Sequence, residues 1–153
     1  MAIISGKALT IHYPWAWAIV HGHKRVENRT WVTPYRGPLL IHSGQSTASD
    51  ELATQILQML GVAVPPVADF VRGRIIGAVD LVDILPLKEY LEIHGNSPLN
   101  RGLAVGPYCW VLANPRTCKP IPCAGNFQLW SAAKAIERRG GNAKKLLAEK
   151  RFK

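Results

Sequence analysis

Residues 22–29 bring together the side chains in this sequence that are best suited to chemistry. The segment reads Gly-His-Lys-Arg-Val-Glu-Asn-Arg, and Lys24, Glu27 and Arg29 place two positive charges and one negative charge within six residues. A lysine that is desolvated or close to another cation becomes a better nucleophile or base, whereas a nearby carboxylate holds it protonated. The segment therefore predicts either catalysis by Lys24 and Glu27 or a fixed ion pair that shapes the turn.

Glu27 and Arg29 are two residues apart, so on a β-strand they point to the same side. The forked donors of Arg29 suit a phosphate or a base edge, and Glu27 can accept a hydrogen bond from an exocyclic amine. The alternative is that the two form a buried structural pair. We expect Glu27 to orient Lys24 and Arg29, with the two cations making most of the ligand contacts.

The flanking sequence predicts the elements that position this segment. Residues 7–12 alternate as a short strand does. Pro14 suits the first turn of a helix that runs to His21, and Gly22 ends that helix because glycine accepts the left-handed conformation. Residues 26–31 then form the strand that carries Glu27 and Arg29.

Aromatic side chains surround the charged segment. Trp15 and Trp17 cannot share one face of a helix, so we expect one of them in the core and Trp15 stacking on a base at the cleft. Tyr13 is a candidate rim contact. We expect the other three tryptophans to be core residues, as most tryptophans are: Trp31, Trp110 and Trp130.

The rest of the chain predicts one mixed α+β domain. Its segments are a buried strand at 39–43, a helix at 49–60, a long strand at 73–85 bent at Gly77, a polar loop at 95–106, a strand at 108–113 and a helix from 131 to 139. The helix at 49–60 has a predicted apolar stripe: Leu52, Ala53, Ile56, Leu57, Met59 and Leu60. Many short strands separated by turns favour a small β-barrel over a doubly wound sheet.

The positive charge is concentrated at the C-terminus. The net charge is +9, and residues 134–153 hold eight Lys or Arg and two Glu, a net charge of +6 that leaves +3 for the other 133 residues. This balance favours a polyanionic partner, RNA first, and the tail would hold an RNA backbone through sequence-blind, salt-sensitive contacts. The alternative is a solvated basic surface ending in a frayed terminus.

Cysteine, histidine and hydropathy patterns limit the class of protein. The three cysteines match no disulfide framework or zinc ribbon, and the histidines lack metal spacing, so we expect free thiols and neither a metal nor another cofactor. No segment has the pattern of a signal peptide or a membrane span. We expect a cytoplasmic protein that does not associate with membranes.

The motif Gly22-x-Lys24-x-x-Glu27-x-Arg29 resembles that of the ASCH family, the activating signal cointegrator homology domains. Residues 12–16 resemble the Gln-Pro-Trp-Ala segment before that motif, and residues 35–43 resemble the strand after it. The resemblance implies a PUA-like small mixed β-barrel with flanking helices, spanning residues 1–153 as a single domain. Its core would be about 7–130, with 131–153 a basic helical C-terminal extension.

The resemblance also implies a cleft, lined by the motif, that engages RNA or nucleotide-like ligands. His42 and Ser43 would end a strand beside that cleft, although a hydrogen-bonded structural histidine is the alternative. The candidate ligand-binding residues are Gly22, Lys24, Glu27, Arg29, Trp15, Tyr13, His42 and Ser43.

Three functions follow from these expectations. The first is binding of RNA or of a modified nucleoside or nucleotide. The second is hydrolysis in the same cleft, either by a metal-independent ribonuclease with His42 or Lys24 as base, or by an N4-acylcytidine amidohydrolase. Family members of the amidohydrolase type have threonine where this chain has Glu27, and the further carboxylate they need has these candidates by position: Glu89, Glu92, Asp80 and Asp83. The third is a protein-interaction module that uses a Trp-rich surface.

Overall fold

The computed structural model describes residues 2–153, which form one mixed sheet flanked by helices. The strands are β1 (Lys7–Ile11), β2 (Val26–Arg29), β3 (Gly37–Ser43), β4 (Arg74–Pro86), β5 (Tyr108–Pro122) and β6 (Trp130–Ser131). The helices are α1 (Tyr13–Val20), α2 (Asp50–Met59), α3 (Leu87–His94), α4 (Pro98–Leu103), α5 (Ala132–Arg138) and α6 (Ala143–Leu146), with short 3-10 turns at Val67–Asp69 and Glu149–Arg151. The α+β class is therefore confirmed.

The sheet is open, so the expected closure into a barrel is not observed. The strand order is β2-β5-β4-β3-β1-β6, with β1 parallel to β3 and the other pairs antiparallel. Both edge strands are short, four residues for β2 and two for β6. Within residues 2–153, no backbone ladder joins these two edges.

The gap in the sheet lies between β1 and β2. Strand β6 pairs only with Lys7 and Ala8 of β1. Farther along β1, the carbonyl of Thr10 accepts a hydrogen bond of 3.1 Å from Nη2 of Arg29 on β2. A side chain thus bridges the two strands where a closed barrel would have backbone hydrogen bonds, and this leaves room for a cleft.

Strand β5 continues to Pro122, well beyond the predicted end at residue 113. This part of β5 contains Pro115, Pro120 and Pro122. Proline is tolerated where a strand has one free edge or a bulge. β2 pairs only with Tyr108–Val111, and Pro120 lies in an unpaired stretch between two pairs with β4. The predicted bend at Gly77 is confirmed, because β4 shifts register there and an added Cβ would lie 2.1 Å from the carbonyl oxygen of Arg116.

Two predictions need correction, the apolar stripe of the helix at 49–60 and the polar loop at 95–106. In α2 the stripe is narrower than predicted, since Ala53 and Leu57 are buried whereas Leu52 and Met59 are exposed. The two buried residues are four apart on the face that meets the domain, and α2 is a surface helix. The predicted polar loop at 95–106 contains α4, which begins after Ser97, whose side chain accepts a hydrogen bond from the backbone N–H of Asn100.

The basic C-terminal segment, residues 131–153, packs against the sheet through its apolar side chains. Ile136, Leu147 and Phe152 share one buried cluster with Leu40 and Ile75 of the central strands. The backbones of Lys153 and Thr117 exchange two hydrogen bonds, of 2.9 and 3.1 Å. A side chain caps each helix of this segment: Ser131 caps α5 and Asn142 caps α6. The apolar side of the tail is therefore docked, and its charged side faces outwards.

The cysteines are free thiols: Cys109 and Cys123 are buried and Cys118 is half-buried. Burial raises the pKa of Cys118 to about 12 and that of Cys123 to about 11, although Arg151 and Arg139 respectively act in the opposite direction. Within residues 2–153, no helix is both long and apolar enough to cross a bilayer.

Candidate functional site

The turn after α1 carries Lys24 into the interior. Gly22 has φ +81°, a conformation in which glycine is unstrained, and the next two backbone N–H groups both donate to the carbonyl of Ala18. This reversal places the Lys24 side chain under the helix, where only 3% of the residue is exposed. Its ammonium nitrogen lies 5.7 Å from the centre of the Trp15 ring.

Lys24, Glu27 and Arg29 form one continuous chain of charge-assisted hydrogen bonds. Nζ of Lys24 donates to the carbonyl of Val26 and, at 2.9 Å, to Oε1 of Glu27. The other carboxylate oxygen, Oε2, accepts from Nε of Arg29 at 3.0 Å and lies 2.9 Å from Nη2. Glu27 thus holds both cations, as the sequence predicts, and the cluster has a net charge of +1.

Two opposing effects act on the Glu27 carboxyl. Burial raises its pKa, but the positive charges and hydrogen bonds of Lys24 and Arg29 outweigh burial, so the pKa of Glu27 lies below its ordinary value. The carboxylate therefore stays ionised and keeps the two cations in place. Lys24 is itself engaged by two acceptors, the Val26 carbonyl and the Glu27 carboxylate.

The charged cluster opens into a cavity of about 380 Å³ between β1, β2, α2 and α4, which we call the cleft. Its volume lies in the range of small-molecule sites, about 300–1,000 Å³. Trp15 and His12 form one side, and Ser49 and Ile56 of the α2 region form another. The remaining lining residues are Thr10, Ile11, Lys24, Glu27, Asn28, Arg29, Gly102, Leu103 and Val105.

Asn28, which the sequence analysis did not select, builds one wall of the cleft. Its Nδ2 donates to the carbonyl of Leu103 at 3.0 Å, and its Oδ1 accepts from the backbone N–H groups of Val105 and Gly106 at 2.8 and 2.9 Å. One side chain therefore fixes the segment that follows α4. Its place inside the charged motif was a signal that could have found it.

His12 and Ser49 also line the cleft, and neither was predicted there. Nδ1 of His12 and Oγ of Ser49 are hydrogen-bonded to each other across 37 positions of sequence. This contact joins the start of α1 to the start of α2. Because the partners are distant in sequence, only the tertiary structure reveals the pair.

Arg29 is the cation that the cleft leaves available. Its Nε and Nη2 groups bind Glu27 and Thr10, but no residue within 2–153 accepts a hydrogen bond from Nη1. The side chain is 22% exposed, against 3% for Lys24. The guanidinium is thus held in one orientation, and its Nη1 group is the donor that remains available to a ligand.

Two predicted site residues near the motif lie outside the cleft. Tyr13 is buried with its ring 4.6 Å from that of Phe70, and burial raises the pKa of its hydroxyl. Gly22 shapes the turn but lines a separate, smaller cavity with His23 and Arg25. Of the eight predicted ligand-binding residues, the structure brings four together in the cleft: Trp15, Lys24, Glu27 and Arg29.

His42 and Ser43 occupy the interior beneath β1 rather than the cleft. Nε2 of His42 donates to the carbonyl of Cys123 at 2.8 Å, and its Nδ1 lies 3.3 Å from Oγ1 of Thr10. Burial lowers the pKa of His42 despite the hydrogen bond to Cys123, which raises it. Ser43 is fully buried and donates to the carbonyl of Val71 at 2.6 Å. Both residues have local hydrogen-bonding roles.

The candidate carboxylates for an amidohydrolase do not line the cleft. Asp80 is held by Arg116 and Asn114 on the far part of the sheet, and Asp83, Glu89 and Glu92 are exposed. Glu27 is the acidic residue of the cleft, and both of its oxygens are engaged. Within residues 2–153, no three His, Cys, Asp or Glu side chains are grouped as metal ligands.

The sequence and its fold can be compared with known proteins. The sequence profile of the ASCH domain matches residues 9–122, which include the charged motif, the last three residues of β1 and all of β2 to β5. The chain belongs to the ASCH domain family. It is 32% identical to human activating signal cointegrator 1 over 138 residues and 31% identical to the mouse protein over 140 residues. The chain spans only 23% of the length of these relatives.

Crystal structures of an ASCH protein from Zymomonas mobilis share the fold. The unmodified protein superimposes with a TM-score of 0.52 at 13% identity, covering 88% of this chain and 92% of that chain. A mutant form gives the same TM-score at 15% identity, covering 88% of this chain and 95% of the mutant chain. At these identities the likeness concerns the fold alone.

Lys24, Glu27 and Arg29 thus supply the charged floor of the cleft, and more distant segments supply its walls. The five tryptophans do not form an exposed surface: Trp110 and Trp130 are buried, and the others are half-buried. Trp31 packs edge-on against Trp110 at 4.8 Å. The core placement expected for Trp110 and Trp130 is confirmed.

Proposed function

We propose that the cleft binds RNA by holding one nucleotide, with Arg29 contacting a phosphate or a base edge. The open Nη1 of Arg29 is the observation that carries the proposal. Glu27 and Thr10 fix the guanidinium before any ligand arrives, so little side-chain entropy is lost on binding. The two N–H bonds of Nη1 remain available, and as charged donors they suit a phosphate oxygen or an acceptor on the edge of a base.

Trp15 provides a second group that suits a nucleotide. It is half-buried, lines the same cleft and lies above the Lys24 ammonium. An indole ring fixed in this way can stack on any base, because every base has a π-face. A stacked base beside Arg29 accounts for a site that is concave, partly apolar and carries a net charge of +1. The same features suit a free modified nucleoside.

The charge of the domain supports RNA as the ligand. With a net charge of +9, the protein attracts a polyanion at long range, whereas the cleft itself provides only one excess positive charge. The field of the whole domain would thus speed encounter, and the cleft would fix the register of the strand.

A pair of arginines in the same motif offers a matched test. In Arg29→Gln, affinity for a fluorescein-labelled ten-nucleotide RNA should fall by about tenfold or more in an anisotropy titration, because one charge-assisted contact is lost. Arg25→Gln removes an equal charge from an exposed position outside the cleft and should change the affinity less than about twofold. Equal losses in both variants would refute the proposal. Charge reversal at Lys24 is unsuitable, since the buried side chain also holds the fold.

The His12–Ser49 pair supports a second candidate function, hydrolysis of the bound RNA. An imidazole next to a hydroxyl in a cleft beside a fixed arginine is an arrangement that can take up a proton while a phosphate is held. His12→Gln should then abolish cleavage while keeping RNA affinity within about threefold. Mass spectrometry of the RNA, and of N4-acetylcytidine, after incubation with the protein would detect either product. No product from either substrate would remove this candidate.

A further inference from the structure

A second cavity, of about 430 Å³, lies beside α5, and we call it the α5 cavity. Its cations are Lys134, Arg138 and Arg139, and no acidic residue within 2–153 lines it. All five ion pairs formed by the described residues involve other cations. Three positive charges therefore converge on one concave surface without a negative partner.

An exposed aromatic residue directly follows three of the lining residues in the sequence. Residues 124–126 line it, and the residue that follows, Phe127, is 91% exposed. Phe127 is therefore not held by core packing, and its backbone N–H is anchored to Oδ1 of Asn126 at 2.8 Å. Cations combined with an exposed ring are the groups with which proteins bind single-stranded nucleic acids, through phosphate contacts and base stacking.

Thr10 separates the α5 cavity from the cleft. Its carbonyl accepts a hydrogen bond from Arg29, which lines the cleft, and its hydroxyl accepts one of 3.1 Å from Nε1 of Trp130, which lines the α5 cavity. An added Cβ on Gly125, another lining residue, would lie 2.5 Å from the same hydroxyl oxygen. The two cavities are thus neighbours on the outer edge of β1.

We propose that the α5 cavity binds the phosphates of a single-stranded nucleic acid whose neighbouring nucleotide occupies the cleft, with Phe127 stacking on a further base. This inference rests on the proposed function, because the cleft sets the position of the strand. It also sharpens that function: the ligand is a strand of several nucleotides rather than a free nucleoside. Contacts in the α5 cavity would be sequence-blind and salt-sensitive, since they involve backbone phosphates.

A matched pair of triple variants tests the α5 cavity. In the cavity variant, Lys134, Arg138 and Arg139 become glutamine. In the control variant, three exposed lysines outside the cavity become glutamine: Lys144, Lys145 and Lys150. Both variants lose three charges from the same end of the chain, so long-range attraction falls equally. Oligouridylates of two and ten nucleotides, labelled at one end, are titrated against each variant at several salt concentrations.

The cavity variant should bind the ten-nucleotide RNA about tenfold or more weakly than the control variant and bind the dinucleotide equally well. Its plot of log affinity against log salt should be shallower by about 2, since each lost phosphate contact on a single strand reduces the slope by about 0.7. Phe127→Ala should weaken binding of the longer RNA by roughly fivefold or more, because a stacked base is lost.

Equal affinities of the two triple variants for the longer RNA would overturn the inference. So would displacement of the RNA by decaglutamate at the concentration at which unlabelled RNA displaces it, since that would assign the cavity to acidic peptides. The proposed function fails separately: if Arg29→Gln binds both RNAs normally while the cavity variant does not, the cleft is refuted and the α5 cavity remains as the site. No binding by the wild-type protein would refute both.

Discussion

The cleft and the α5 cavity both present basic side chains, but they balance the charge differently. In the cleft, Lys24 and Arg29 share one carboxylate and are largely withdrawn from water. In the α5 cavity, Lys134 and Arg138 are exposed and have no ion-pair partner among the described residues. Buried paired charges fix the positions of the side chains that line a site, whereas exposed unpaired charges attract an anionic ligand. The first arrangement suits recognition of one nucleotide, and the second suits contacts with the phosphate backbone of a strand.

The largest expected effect follows from breaking the cleft's charge balance. Glu27→Ala leaves the Lys24 ammonium buried without its carboxylate, so the free energy of unfolding should fall by about 3–5 kcal/mol. Urea denaturation measures this change. The control is Glu89→Ala on the exposed side of α3, which should shift stability by no more than about 0.5 kcal/mol. A similar small shift for Glu27→Ala would show that the cluster is not coupled as described.

The next largest effect concerns RNA affinity and distinguishes two tryptophans of α1. Trp15→Ala should weaken RNA binding by about 1–3 kcal/mol, because the proposed stacking platform is removed. Trp17 stacks on His21 and His23 instead and does not line the cleft, so Trp17→Ala should leave affinity nearly unchanged. Anisotropy titration of both variants, at a temperature where both are folded, distinguishes them. Equal losses would contradict the role of Trp15.

A smaller effect concerns pH and the buried His42. Its folded-state pKa is depressed, so the unfolded chain binds the proton more readily; stability is complete above the unfolded pKa, about 6.5, and declines as pH falls towards the folded pKa. His42→Gln should flatten the dependence of unfolding free energy on pH below about 6.5. His21→Gln, on the surface, serves as the control. Equal flattening in both variants would contradict the role of burial.

The smallest effect on stability is expected for the cations of the α5 cavity. Lys134→Ala and Arg138→Ala should each alter the free energy of unfolding by no more than about 0.5 kcal/mol, because neither side chain has an ion-pair partner to lose among residues 2–153. Urea denaturation, run beside Glu27→Ala, measures the contrast directly. A loss of 2 kcal/mol or more in either variant would show that the cations of the α5 cavity stabilise the fold.

Local spacing explains which parts of the cleft were predictable from the sequence. Lys24, Glu27 and Arg29 interact across a turn and along one strand, so their contacts follow from helix termination at Gly22 and the two-residue period of β2. Ser49 is brought in by tertiary packing, and no local pattern marks it. For His42 the structure agrees with the alternative of a hydrogen-bonded structural histidine, because β3 buries its last residues.

The fold was predictable in class but not in closure. Alternating strands and helices with recognisable ends or apolar stripes identified an α+β chain, because these patterns are local. Closure of the sheet would need a ladder from β2 to β1 or β6, and the approach of strands so distant in sequence comes from long-range packing. The resemblance identified the ASCH family correctly, whereas the opening beside β1 is visible only in three dimensions.

The most direct measurement of the central claim is an NMR titration of side-chain N–H groups with a short RNA. Arg29 Nε–H and Trp15 Nε1–H, assigned from spectra of Arg29→Lys and Trp15→Phe, should both shift as RNA is added. The corresponding signals of Arg25 and Trp17 should shift much less, because neither residue lines the cleft. Saturable shifts of the first pair would establish the cleft as the nucleotide site. Tight RNA binding that leaves Arg29 and Trp15 unmoved would contradict it.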